Sequence, residues 1–137
     1  MTIAEFKKLQ EQAKEELKMP DNLSGIMEKN NLLPTYIYEW QRLYADLTYI
    51  VKDMKIKANE KYGELVKLYK FNDNYSWNNA KEIDSQINAN PEYCKIMRSI
   101  NEQEYFLTFI TETLEDFKNL GYNIKNYLDY KKLMMGS

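Results

Sequence analysis

Five carboxylates gather in one short stretch, Glu102, Glu104, Glu112, Glu115 and Asp116. Paired carboxylates do acid–base work or hold a metal ion. A di-metal site in a helical bundle, however, needs Glu-x-x-His repeats on facing helices, and the 137 residues contain no His. Cys94 is the one cysteine; with no His to activate it and no second thiol, a Cys-His nucleophile and a disulfide framework are both excluded. Neither a G-x-x-x-x-G-K-[ST] nor a G-x-G-x-x-G loop occurs, so no phosphate-cradling turn is encoded. The acidic stretch therefore reads as a solvated or partner-facing helix surface, Cys94 as a structural or surface thiol, and the chain as a non-enzyme without cofactor or metal.

Cations paired with aromatics form the second candidate. Lys57, Lys61, Tyr62, Lys67, Tyr69 and Lys70 crowd together. Single-stranded nucleic acid needs this mixture, because ammonium groups neutralise phosphates while rings stack on any base. The whole chain carries 19 basic and 21 acidic residues for a net charge of −2, which excludes a uniformly basic coat. The charge is nonetheless polarised: residues 52–70 carry a net +3, residues 92–117 a net −4, and residues 118–137 a net +3. A strip of +3 attracts a strand weakly unless several subunits present it together. The alternative is that these lysines only complement a helix dipole and keep the surface soluble.

The elements that must position these residues are helical. Four Gly and three Pro, with 44% hydrophobic residues, suit long helices and not a turn-rich β fold. A first helix over 2–18 opens on Thr2 as cap, with Glu5 three positions on. Pro34 fits a helix first turn and starts a heptad seam through Ile37, Trp40, Tyr44, Leu47, Val51, Met54, Ala58, Leu65 and Leu68, interrupted by Lys61. This predicts a long helix over 34–70. A second seam, Tyr93, Ile96, Ile100, Gln103, Leu107, Ile110, Leu114 and Phe117, predicts another over 91–120, opened by Asn90, Pro91 and Glu92 as cap, first turn and dipole-favourable acid.

Between the seams lie a polar, aromatic loop, Phe71 to Trp77, and a short helical piece with Ala80, Ile83 and Ile87 on one face. Gly121 suits a helix end, leaving a last helix over 122–133. The expectation is one all-α domain over 1–137, a long antiparallel helical hairpin with short N- and C-terminal helices. Apolar residues beside the seams, Ile50, Met97, Phe106 and Phe109, call for self-association, the alternative being a monomeric bundle with the N-terminal helix as third partner. No signal sequence, anchor or membrane span is expected, and an unpaired thiol suits a reducing compartment.

The C-terminal run Leu120-Gly121-Tyr122-Asn123-Ile124-Lys125-Asn126-Tyr127-Leu128-Asp129-Tyr130-Lys131-Lys132, with Gly136 after it, resembles the signature of the UvsY-type recombination mediators of T-even-like bacteriophages. That signature reads Arg-Gly-aromatic-x-Ile-Lys, a short amphipathic helix and a terminal Gly; Leu120 stands here in place of the arginine. Leu9-Gln10-Glu11 in the first helix and Trp40 early in a long one agree with the same family. The resemblance implies a homo-oligomeric ring of six or seven subunits that binds single-stranded DNA. It further implies loading of the phage recombinase onto strands covered by the phage single-strand-binding protein, in recombination-dependent replication and repair within the cytoplasm of the infected host. The strand-binding stretch corresponds to Lys57–Lys70, though the Tyr-Tyr-x-Gly expected there is replaced by Leu68-Tyr69-Lys70-Phe71. The resemblance assigns ring assembly to Tyr122, Ile124, Tyr127 and Leu128, the alternative being that this helix caps the chain's own bundle. A coiled-coil scaffold or adaptor without nucleic-acid binding satisfies the same heptads and is the alternative.

Overall fold

The computed structural model describes residues 1–71 and 79–136. It contains four helices among the described residues: α1 (Ile3–Glu16), α2 (Leu23–Phe71), α3 (Ala80–Ala89) and α4 (Pro91–Gly136). The expected loop from 72 to 77 lies outside the described residues, whereas Phe71 is the last residue of α2. Packing gathers the chain into two compact units, Met1–Asp46 with Phe106–Ser137, and Leu47–Tyr105.

The caps follow from local chemistry. Thr2 Oγ1 accepts from the Glu5 amide (3.1 Å), and Asn79 Oδ1 accepts from the Glu82 amide (2.8 Å). Asn90 Oδ1 takes the amides of both Glu92 (3.0 Å) and Tyr93 (3.1 Å), so the free donors at the start of α4 are satisfied as its sequence predicts. Asn22 Oδ1 accepts from the Gly25 amide at 2.7 Å and starts α2 eleven residues before Pro34.

Two helix ends therefore differ from expectation. Pro34 lies inside α2, where it costs the helix one backbone hydrogen bond. Ile26 and Leu33, 3% and 5% exposed, stand seven residues apart on the face that Trp40 continues, and their burial carries the helix through the proline. Gly121 likewise lies inside α4, with a negative φ. Leu120 and Ile124 on either side of it are buried, so the expected separate helix over 122–133 is the continuation of α4.

In the first unit, α1 lies against α4 through aromatic contacts and is tied to α2 by hydrogen bonds. Phe6 stacks on Phe106 (centroids 4.4 Å apart) and meets Phe109 edge-on (5.1 Å). Trp40 is fully buried and contacts Phe109 and Phe117. Its indole Nε1–H donates to Glu16 Oε1 at 2.8 Å. Lys29 Nζ donates to the Glu15 and Glu16 carbonyls, which closes the open end of α1. Phe106, expected to need a second copy, is 3% exposed within its own chain.

In the second unit, α2 and α4 run antiparallel, since Lys55 pairs with Glu104 (2.7 Å) and Lys61 with Glu92 (2.7 Å). Leu65, Tyr69, Ile83 and Ile87 form the core where α3 covers the end of α2.

The seams hold with a drift. The expected Leu107, Leu114 and Leu68 give way to buried Phe106, Thr113 and Tyr69, and Leu68 is 44% exposed. From Val51 to Tyr69, and from Phe106 to Ile124, the buried face advances 18 residues, which is five turns at 3.6 residues per turn. A strict heptad falls behind such a face by about 20° per repeat. Thr113 is accommodated because its hydroxyl donates to the Phe109 carbonyl (2.8 Å).

One substitution at two glycines separates these environments. Gly121→Ala places a Cβ 3.8 Å from Leu33 Cδ1, an ordinary contact, and is expected to stabilise by about 0.5–1 kcal/mol. Gly25→Ala places it 2.9 Å from the rigid Pro20 ring and 3.2 Å from the capping Asn22 oxygen, and is expected to destabilise. Urea unfolding of both variants measures the two signs.

Candidate nucleic-acid interface

The six lysines and tyrosines read from the sequence all lie on the last four turns of α2, but the fold divides them. Tyr69 is 8% exposed in the core, and its hydroxyl accepts from Asn90 Nδ2 at 3.0 Å. Tyr62 donates its hydroxyl to Asp84 Oδ1 of α3 at 2.5 Å and packs edge-on against Tyr93. That hydrogen bond, followed by burial, raises the Tyr62 pKa above the usual phenol value. Neither ring presents a face on which a base could stack.

Lys61 is committed as well. Its side chain is 25% exposed and reaches Glu92 at 2.7 Å and Glu64 at 3.9 Å. The hydrogen bond to Glu92 raises the Lys61 pKa, and the same bond lowers that of Glu92. Lys57 is exposed but pairs with Asp53 at 3.1 Å. Lys67 and Lys70 are exposed, and the Lys70 ammonium lies over the ring of exposed Phe71, 5.5 Å from its centroid. Cys94 donates its thiol to the Asn88 carbonyl (3.0 Å).

A surface that the linear reading did not single out joins the two outward lysines. Tyr49, Lys52, Ile56, Asn59, Gly63, Lys67 and Lys70 recur at steps of three and four, and all are exposed. At 100° per residue they share an arc of about 80°, roughly opposite the buried face. None is acidic; Asp53, Glu60 and Glu64 fall on the flank that carries Lys57 and Lys61. Among the described residues no carboxylate lies within ion-pair distance of Lys52, Lys67 or Lys70. The signal was present in the sequence as a missing charge type at helical spacing, not as a cluster along the chain.

The residues assigned to ring assembly also divide. Ile124 is fully buried within its own chain, Tyr127 and Leu128 are half-buried, and Tyr122 is 56% exposed. The strongly exposed apolar residues of this end include Tyr130, Leu133, Met134 and Met135. No helix among the described residues is long and apolar enough to cross a membrane. Among them too, no group of three or more His, Cys, Asp or Glu side chains is placed to hold a metal ion.

Residues 7–137 match the family model described as recombination, repair and ssDNA binding protein UvsY. The chain belongs to the UvsY family. Its fold is that of the bacteriophage T4 recombination mediator protein UvsY. One crystal form of that protein superposes with a TM-score of 0.83 at 15% identity, covering 98% of both chains. Another gives 0.81 at 16% identity, covering 93% of this chain and 97% of that one. Comparison with curated protein sequences finds no match. Within this UvsY fold the outward stripe and the committed residues lie on different faces of the same helix.

The Lys61–Glu92 bond makes stability depend on pH. Glu92 titrates lower in the folded chain than unfolded, so its contribution is present above the ordinary carboxylate range and lost as pH falls through the lowered value. Lys61 titrates higher folded, so its contribution is lost as pH rises through the raised value. Glu92→Gln is expected to lower the melting temperature at pH 7, with the gap to wild type closing as the solution is acidified. Thermal melts from pH 7 to pH 3 test this.

Proposed function

We propose that this chain is a non-enzymatic recombination mediator that binds single-stranded DNA along the outward face of α2. The observation that carries the reading is the acid-free stripe from Tyr49 to Lys70, which places Lys52, Lys67 and Lys70 on one exposed surface about 27 Å long at 1.5 Å per residue. Ammonium groups that form no ion pair among the described residues are available to displace counterions from phosphates, and exposed Tyr49 and Phe71 supply rings for bases. Lys57 contributes at the flank. Lys61, Tyr62 and Tyr69 hold the helix end in place and do not touch the strand.

A stripe of three cations binds weakly alone. A closed homo-oligomer that repeats it around a ring multiplies the attraction, and the exposed Tyr130, Leu133 and Met135 near the end of α4 give such an assembly apolar surface to cover. Such a ring promotes loading of the phage recombinase onto strands covered by single-strand-binding protein by holding the strand in the form the recombinase prefers. The shift equals the difference in affinity for the two forms.

Lys67→Ala with Lys70→Ala tests the strand path. Each neutralised phosphate contributes about −0.7 to the slope of log affinity against log salt. The double variant is expected to flatten the slope by about 1.4 per subunit engaged while sedimenting as wild type; an unchanged slope overturns the placement. The assembly is tested separately by Tyr130→Ser, Leu133→Ser and Met135→Ser together, which are expected to give smaller species in sedimentation velocity with helicity preserved. A multimer indifferent to oligo-dT at any salt leaves the scaffold reading instead.

A further inference from the structure

A notch of about 260 Å³ opens on the flank of the α2–α4 pair, lined by Lys55, Ala58, Asn59, Tyr93, Met97, Ile100, Asn101 and Glu104. Its floor is apolar, since Ala58 and Ile100 are 4% and 2% exposed. Its rim is polar: Asn59 and Asn101 are exposed on opposite helices, and the Lys55–Glu104 ion pair forms part of the wall. Neither asparagine side chain hydrogen-bonds another described residue. The Tyr93 ring is held edge-on to Tyr62, which α3 anchors through Asp84, so this side of the notch is fixed before any ligand arrives.

Asn59 belongs both to this notch and to the acid-free stripe, and Lys52 stands two turns before it on the same side of α2. We infer that the notch receives one unstacked nucleobase from a single strand lying on the stripe. The inference rests on the strand-binding reading above.

The chemistry fits a base and not a phosphate or a lipid chain. An apolar floor beside an aromatic ring accepts a flat heterocycle, whereas a phosphate would sit against Met97 and Ile100. Two primary amides and a carboxylate provide both donors and acceptors for the base edge, which an acyl chain leaves unpaired. Lys52, two turns before Asn59 on the stripe and outside every ion pair among the described residues, is the cation left to meet a neighbouring phosphate, because Lys55 is held by Glu104. Another groove of this unit, lined by Met54, Lys57, Lys95, Ile96 and Ser99, has no side-chain amide with which to read an edge.

The test compares oligo-dT with an oligonucleotide of the same length built from abasic residues, each bound to wild type and to Asn59→Ala/Asn101→Ala. The variant is expected to lose about tenfold in affinity for oligo-dT, within the range that removal of one base contact produces. It should lose nothing for the abasic strand, with the salt slope unchanged on both. Met97→Trp, which fills the notch from α4 and leaves every stripe residue intact, is expected to reproduce the pattern. Circular dichroism confirms that both variants are folded.

Equal affinities of wild type and both variants for oligo-dT overturn the notch while leaving the stripe standing, because wild type still releases the strand as salt rises. Equal losses on both strands also overturn it, since the asparagines would then act on the backbone. Failure of wild type to take up either strand overturns the notch and the strand-binding function together.

Discussion

An aromatic ring with a polar tip enters a core only if that tip finds a partner, because a buried donor without one costs about 1–3 kcal/mol. Trp40 loses all its solvent exposure and gives its indole N–H to Glu16 of α1. Tyr69 accepts from Asn90 at the entrance to α4, and at the edge of the core half-buried Tyr62 gives its hydroxyl to Asp84 of α3 at an exposed position. In each case a ring on the long helix α2 is satisfied from a short element or a cap. Small helices that bury little area by themselves are thereby set against α2 at a defined rotation. The apolar contacts, Phe6 with Phe106 in one unit and Ile83 with Leu65 in the other, then consolidate an arrangement the polar tips have chosen.

Much of this was legible in the sequence. The caps at Thr2 and Asn90 and the apolar face of α3 were read from residue types, and the two seams from spacing. The drift of the buried face was not, because heptads imply 3.5 residues per turn and these helices advance at 3.6 over 18-residue stretches. Pro34 and Gly121 misled as punctuation for one shared reason. Their local cost is about 3 kcal/mol for the proline and about 1 kcal/mol for the glycine, and the combined burial of Ile26, Leu33 and Trp40 around one and of Leu120 and Ile124 around the other offsets it.

The candidate interface was half legible. Nearness along the chain grouped Lys61, Tyr62 and Tyr69 with Lys67 and Lys70, yet on a helix residues one or two apart point in different directions. Sorting by angle separates a face that builds the core from a face that meets solvent. It also explains why a region of net +3 contains three acids: Asp53 and Glu64 lie beside Lys57 and Lys61 on the flank, where charge is matched locally and contributes little to the field outside. Lys52, Lys67 and Lys70 project the remainder.

The ion pairs of the second unit also limit how such a chain can vary over evolutionary time. Lys55 with Glu104 and Lys61 with Glu92 mark the register of α2 against α4. One residue inserted between them would turn everything beyond it by 100°, carrying Lys67 and Lys70 off the stripe and Leu65 and Tyr69 out of the core at once. Substitution has no such reach. A lineage built on these helices is therefore free to replace most side chains but held closely to length. That is the pattern of the bacteriophage T4 protein, alike over 98% of both chains at 15% identity.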